Sequence, residues 1–149
     1  MKKLLLAAAV AASVTTMAGC SNMRSSMPDW MPGSGAMKVS LSGAEEVPAV
    51  STGAKGSGSF RVADDGTITG SVTTEGMQGT MAHIHQAAKG QNGPVIVPLT
   101  KNGDTYTVPA GAKLNEAQMS AFKAGNLYVN VHSAANKGGE VRGQLTPGM

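Results

Sequence analysis

Leu127-Tyr128-Val129-Asn130-Val131-His132 alternates without a break, apolar at the odd positions and polar or amphipathic at the even ones. A period of two belongs to a strand with one buried face; a helix would scatter these residues around its circumference. Leu127, Val129 and Val131 therefore face a core, and Tyr128, Asn130 and His132 face away from it. The next stretch repeats the pattern. Val141, Gly143 and Leu145 share one face, and Glu140, Arg142 and Gln144 share the other. Matching the polar faces across an antiparallel pair sets Asn130 opposite Arg142 and His132 opposite Glu140.

Working back from this hairpin, the chain from Met37 onward reads as short strands with turn punctuation. Lys38 to Ser42 sets Val39 and Leu41 on one face, and Ser59 to Ala63 does the same for Phe60 and Val62. Thr67 to Thr74 points Ile68 and Val72 inward and its threonines outward. Asp64-Asp65-Gly66 and Asn102-Gly103 are hairpin signals, because glycine supplies the positive φ of a tight turn. Thr80 to His85 is a strand, Lys89 to Gly93 a loop, and Thr105 to Val108 a strand. Pro94 and Pro98 mark the strand between 94 and 99 as an edge. One short helix is expected around 115–124. Asn115 caps it, Gln118 completes a capping box, Leu114, Met119 and Phe122 offer apolar contacts, and Gly125 ends it. The fold class is all-β, a sandwich or Greek-key barrel with a single helix. Aromatic residues are only 3% of the chain, so valine, leucine, isoleucine and alanine are expected to build the core.

The N-terminus reads differently. Lys2 and Lys3 precede an apolar run from Leu4 to Val14, too short to span a bilayer but shaped as an export signal. Met17-Ala18-Gly19-Cys20 resembles a bacterial lipobox, with methionine where leucine is usual. The resemblance implies a signal peptide over 1–19, a lipid on Cys20 and membrane anchoring. Ser21 in place of aspartate points to the outer membrane. Cys20 is the single cysteine, so the mature chain has no internal disulfide. Residues 20–36, with Pro28, Pro32, Gly33 and Gly35, read as a flexible tether. Met23, Met27 and Met31 recur at four-residue spacing, but Pro28 breaks the helix that would align them. Loss of Lys2 and Lys3 takes the formal charge from +3 to +1. With no basic stripe and no stacking platform, nucleic acid is not an expected partner.

The chemistry concentrates in the histidines. The chain has three: His83 and His85 in Ala82-His83-Ile84-His85, and His132. Strand parity turns all three rings to the outer side, together with Met81. Either they build an outward metal site or these are ordinary polar strand faces. Neutral imidazoles suit copper and zinc, and the Met81 thioether could join them. Glu140 beside His132 could orient its ring. Gly56-Ser57-Gly58 lacks the lysine and helix of a phosphate cradle. Glu45-Glu46 and Asp64-Asp65 do not form an acid–base couple, and no nucleophile–base pair stands out.

Four motifs occur in order: Leu41-Ser42-Gly43-Ala44-Glu45-Glu46-Val47-Pro48-Ala49-Val50; Ala82-His83-Ile84-His85 followed by Gly90 to Pro94; Gly125 to Ser133; and Gly138 to Leu145. Together they resemble the CHRD domain, named from chordin, over a domain spanning 37–146. The resemblance implies an immunoglobulin-like barrel that has been compared with copper–zinc superoxide dismutase. It implies no settled activity; in chordin-like proteins the domain is a module of an extracellular binding protein. The dismutase holds copper with a His-x-His pair and a late histidine, an order matched by His83, His85 and His132. Its bridging histidine, zinc loop and disulfide have no counterpart here. The expected function is a non-enzymatic, lipid-anchored envelope module for a protein or glycan partner. The alternative is mononuclear copper or zinc binding through His83, His85 and His132.

Overall fold

The computed structural model describes residues 35–148. The expected signal peptide, Cys20, and Met23, Met27 and Met31 of the expected tether lie outside the described residues. Among those described, nine strands, one α-helix and a 3-10 turn (Gly43–Glu45) occur: β1 (Met37–Ser42), β2 (Lys55–Val62), β3 (Ile68–Glu75), β4 (Gly79–Gln86), β5 (Val95–Pro98), β6 (Thr100–Asn102), β7 (Thr105–Thr107), α1 (Glu116–Lys123), β8 (Leu127–Ser133) and β9 (Val141–Leu145).

Local sequence chemistry accounts for most of these elements. The β2–β3 turn has Gly66 at φ +87, and Asp65 accepts from the Thr67 amide at 2.9 Å. Gly103, at φ +61, turns β6 into β7. At α1 both halves of the capping box form at 2.9 Å, and Gly125 at φ +74 ends the helix. One boundary differs. β2 starts at Lys55 rather than Ser59 because Gly56 and Gly58 belong to the ladder. A Cβ on Gly58 would collide with the Ser71 carbonyl and the Val72 Cα, so glycine lets β3 pack against it.

All nine strands belong to one sheet in the order β5-β4-β8-β9-β1-β2-β3-β7-β6, so the β8–β9 hairpin lies between β4 and β1. The order begins with β5 and ends with β6, yet only Leu99 separates these strands in the chain. Its N–H reaches the Ala82 carbonyl of β4 at 3.0 Å. The sheet therefore curls round into a nearly closed barrel, and the chain steps across the seam. The two expected prolines do sit on the edge strand β5 or at its start.

Val39, Leu41, Ile68, Val72, Ile84, Leu127, Val129, Val131, Val141 and Leu145 fill the interior, as alternation predicts. Two expectations need correction. Thr74 is buried, because it shares the inward parity of Ile68 and Val72, and its hydroxyl donates to the Asp104 carbonyl at 3.4 Å. Scarcity of aromatics does not exclude them from the core. Phe60, Tyr106 and Phe122 are all buried there, since a few large rings fill a barrel interior efficiently.

Candidate functional site

The polar faces of β4, β8 and β9 lie side by side on the outside of the barrel. Observed pairings set Met81 against His132, His83 against Asn130 and His85 against Tyr128. On the other side of β8, Asn130 meets Arg142 and Tyr128 meets Gln144, and the Glu140 amide closes the ladder on the Val131 carbonyl. Parity thus delivers a grid of three rows: Met81–His132–Glu140, His83–Asn130–Arg142 and His85–Tyr128–Gln144.

This face is outside the barrel but is not a solvated surface. Tyr128, Asn130 and Arg142 are 2%, 2% and 1% exposed, and His85 and His132 are 8% each. Three loops roof it. Residues 87–94 are held by Arg142, which donates to the Gln91 carbonyl at 2.6 Å and to Asn92 Oδ1 at 3.2 Å. Gln144 donates to the Ala87 carbonyl at 3.0 Å. Residues 43–54 join this roof through Asn92 Nδ2 on the Val47 carbonyl (2.8 Å) and the Lys89–Glu45 ion pair (3.0 Å). Residues 134–140 close the His132 corner.

The three histidines converge. Candidate ligand nitrogens of His83, His85 and His132 all lie within 4.8 Å of one another. Their tautomers follow from their partners. His132 Nδ1 meets the Lys137 carbonyl at 2.8 Å, and His85 Nδ1 meets the Gly93 carbonyl at 2.9 Å. A carbonyl only accepts, so both Nδ1 atoms carry hydrogen and both Nε2 atoms present lone pairs when the rings are neutral. His83 Nδ1 lies 3.0 Å from His132 Nε2. In the metal-free ring His83 donates that hydrogen; moving it to the far nitrogen frees Nδ1. Two ligands each about 2.0–2.1 Å from one ion stand roughly 3 Å apart, so the observed spacing suits a shared ion. His85 Nε2 is buried without a hydrogen-bond partner, as an open ligand position requires.

The carboxylate expected to orient His132 does something else. Glu140 Oε1 accepts from Thr52 at 2.8 Å, and the Lys137 carbonyl takes the His132 ring instead. The 134–139 loop folds back far enough to bring a main-chain oxygen to the ring, which strand register alone does not reveal. Met81 shares the histidine face but is 51% exposed, at the rim. Met77 packs against the core.

Residues not assigned a role from sequence complete the surroundings. The Tyr128 ring stacks on His85 at 4.7 Å and 4°. Arg142 covers it with its guanidinium carbon 3.4 Å from the ring centroid. Because β4 and β9 flank β8, the two approach Tyr128 from opposite sides. Glu46 comes down from the roof, buried, beside Asn130 and Arg142. The sequence signal for this group was the polar parity of β8 and β9; what it lacked was the roof.

A family model for the CHRD domain matches residues 37–145, which holds every strand and the whole grid. The chain belongs to the CHRD domain family. Among curated proteins and among solved structures, nothing matches it.

Burial within the CHRD domain shapes its titration. It pushes His83 below the ordinary histidine value, helped by the neighbouring His132 and His85. It lowers His85 as well, against the opposing pull of the Gly93 carbonyl. Burial also raises Glu46, with Arg142 working against it. Hydrogen bonds, first from Ser133 and then from Thr52 and Asn136, hold Glu140 low despite partial burial. As pH falls below about 6.5, the unfolded chain binds protons on His83 and His85 that the folded chain refuses, so folding free energy declines. Glu46 acts in the opposite sense, because the folded chain holds its proton more firmly, but it is one group against two. Thermal unfolding of metal-free protein should therefore show a midpoint that drops between about pH 6.5 and 5. A midpoint that rises across that window would contradict the histidine assignment.

Proposed function

We propose that this CHRD domain is a non-enzymatic binding module of the cell envelope whose ligand is a single copper or zinc ion, held by His83, His85 and His132. The observation that carries the reading is the convergence of three ring nitrogens. Two of the rings are locked by main-chain carbonyls at the opposite nitrogen, and one ligand nitrogen is left buried without a partner. A carbonyl on the far ring nitrogen is how proteins commonly orient a metal-binding histidine. All the donors are neutral, so the site takes a borderline ion rather than a hard one such as calcium or magnesium.

Titration of the protein with zinc and with copper(II), followed by competition with a chelator of known affinity, tests this. About one equivalent bound tighter than micromolar is expected. Binding no tighter than micromolar would sink the metal reading, leaving a module for a protein or glycan partner.

The cellular placement belongs to the same proposal and rests on residues 1–36. Cys20 carries the lipid, the tether spaces the domain from the bilayer, and Ser21 directs it to the outer membrane. Lipid labelling and membrane fractionation of Cys20→Ser check it; a variant that still fractionates with outer membrane would overturn the anchor.

A further inference from the structure

Besides the three imidazoles, one more buried side chain on this strand face leaves a polar atom unpartnered. Asn130 is 2% exposed, and its Oδ1 has no hydrogen-bond partner. It lies in the middle of the grid, paired in register with His83 on one side and Arg142 on the other. Its amide orientation is set by what surrounds the nitrogen. Nδ2 donates to the Gly138 carbonyl at 3.3 Å and lies beside the Glu46 carboxyl. Gly139 makes room for this arrangement. A Cβ there would strike both Glu46 Oε1 and Asn130 Nδ2, and its φ of +130 suits glycine. Flipping the amide would gain one hydrogen bond at His85 but set oxygen against both the Gly138 carbonyl and the Glu46 carboxyl, so the nitrogen stays on the roof side.

The oxygen is therefore directed to the other side, where Asn130 adjoins the His85 ring. His85 Nδ1 is already committed to Gly93, so the atom facing Asn130 is Nε2. Two lone-pair atoms, Asn130 Oδ1 and His85 Nε2, are thus buried near each other and neither is satisfied. Leaving a pair of acceptors this way is unfavourable. A cation between them relieves both at once.

We propose that Asn130 Oδ1 is a fourth ligand, completing a site of three imidazole nitrogens and one amide oxygen. The inference rests on the metal reading above and narrows it. Adding a neutral oxygen donor to three nitrogens favours a four-coordinate divalent ion, zinc or copper(II), over copper(I), which needs no oxygen. Met81 at the rim is then not required.

The test compares zinc affinity in the full chain and in Asn130→Leu, which keeps the size and removes the oxygen. The variant should bind about 10–100-fold more weakly, and its cobalt(II) complex should show altered visible bands. Metal-free stability separates the roles, because Asn130→Leu removes an unsatisfied acceptor as well as one hydrogen bond. A purely structural Asn130 predicts a lower thermal midpoint with unchanged zinc affinity per folded molecule. If the variant does not fold, the wild-type Asn130 side-chain 13Cγ resonance decides: it should shift on zinc loading by more than that of any other asparagine. Unchanged affinity in a folded variant, or a 13Cγ signal that stays still, overturns the fourth ligand and leaves the three-histidine site intact. Absence of zinc and copper binding in the wild type overturns both.

Discussion

His132→Ala should reduce zinc or copper(II) affinity by at least about a hundredfold, beyond the range typical of losing an outer contact to a metal site. His132 is the hub of the cluster. One nitrogen faces His83 at 3.0 Å and the other is anchored on Lys137 at 2.8 Å. Removing it leaves His83 and His85 of β4, too few imidazoles to hold a zinc or copper(II) ion tightly even with the Asn130 oxygen. The consequence reaches stability. At an excess of about 100 Kd, a ligand binding only the folded chain adds about 2.7 kcal/mol, worth roughly 10 °C or more in a domain of this size. Wild-type protein should show that rise in Tm on adding zinc, and His132→Ala should not. His83→Ala is the cleaner companion, because His83 is only half-buried and makes no main-chain anchor among the observed bonds. Calorimetry with both variants checks the assignment. Affinity within a factor of about three of wild type in either one would remove that ring from the site.

Arg142→Ala should be the most damaging single truncation outside the core. Arg142 is 1% exposed, and its guanidinium donates to Gln91 and Asn92 of the roof, approaches the Ala88 carbonyl at 3.5 Å, and covers Tyr128. Its loss strands buried acceptors, removes the cation that opposes the raised pKa of Glu46, and opens a cavity. Breaking a buried charged network in this way costs about 3–5 kcal/mol, a fall in Tm of more than about 10 °C. Metal affinity should drop too, because the 87–94 loop that Arg142 holds also supplies the Gly93 carbonyl to His85. Arg142→Lys should recover little of this, since an ammonium has neither the planar fork nor the stacking surface. Glu46→Gln in the Arg142→Ala background should restore part of the loss by removing the orphaned carboxyl. A fall in Tm smaller than about 3 °C in Arg142→Ala would show that the roof holds itself.

Much of this architecture was legible residue by residue. Period-two alternation picked out Leu127, Val129 and Val131 as core and turned His83, His85 and His132 to one side. Asp64-Asp65-Gly66, Asn102-Gly103 and the Asn115–Gln118 box located turns and a helix through purely local chemistry. The pairing of Asn130 with Arg142 also followed from parity. Gly56 and Gly58 left the start of β2 unread before Ser59, because a glycine that serves close strand packing offers no side chain to alternate.

By itself, then, the sequence determined which residues alternate, which face each takes and which strands hairpin together, because those rest on interactions a few residues long. Only the tertiary structure decided that the sheet closes across Leu99 and that three separate loops bury the outer face. It also decided that Lys137 and Gly93 carbonyls, rather than Glu140, orient the histidines. Such contacts join atoms remote in the chain through main-chain groups every residue possesses, so no residue type announces them. The same roof turns an outward polar strand face into a buried, pre-oriented cluster of imidazoles.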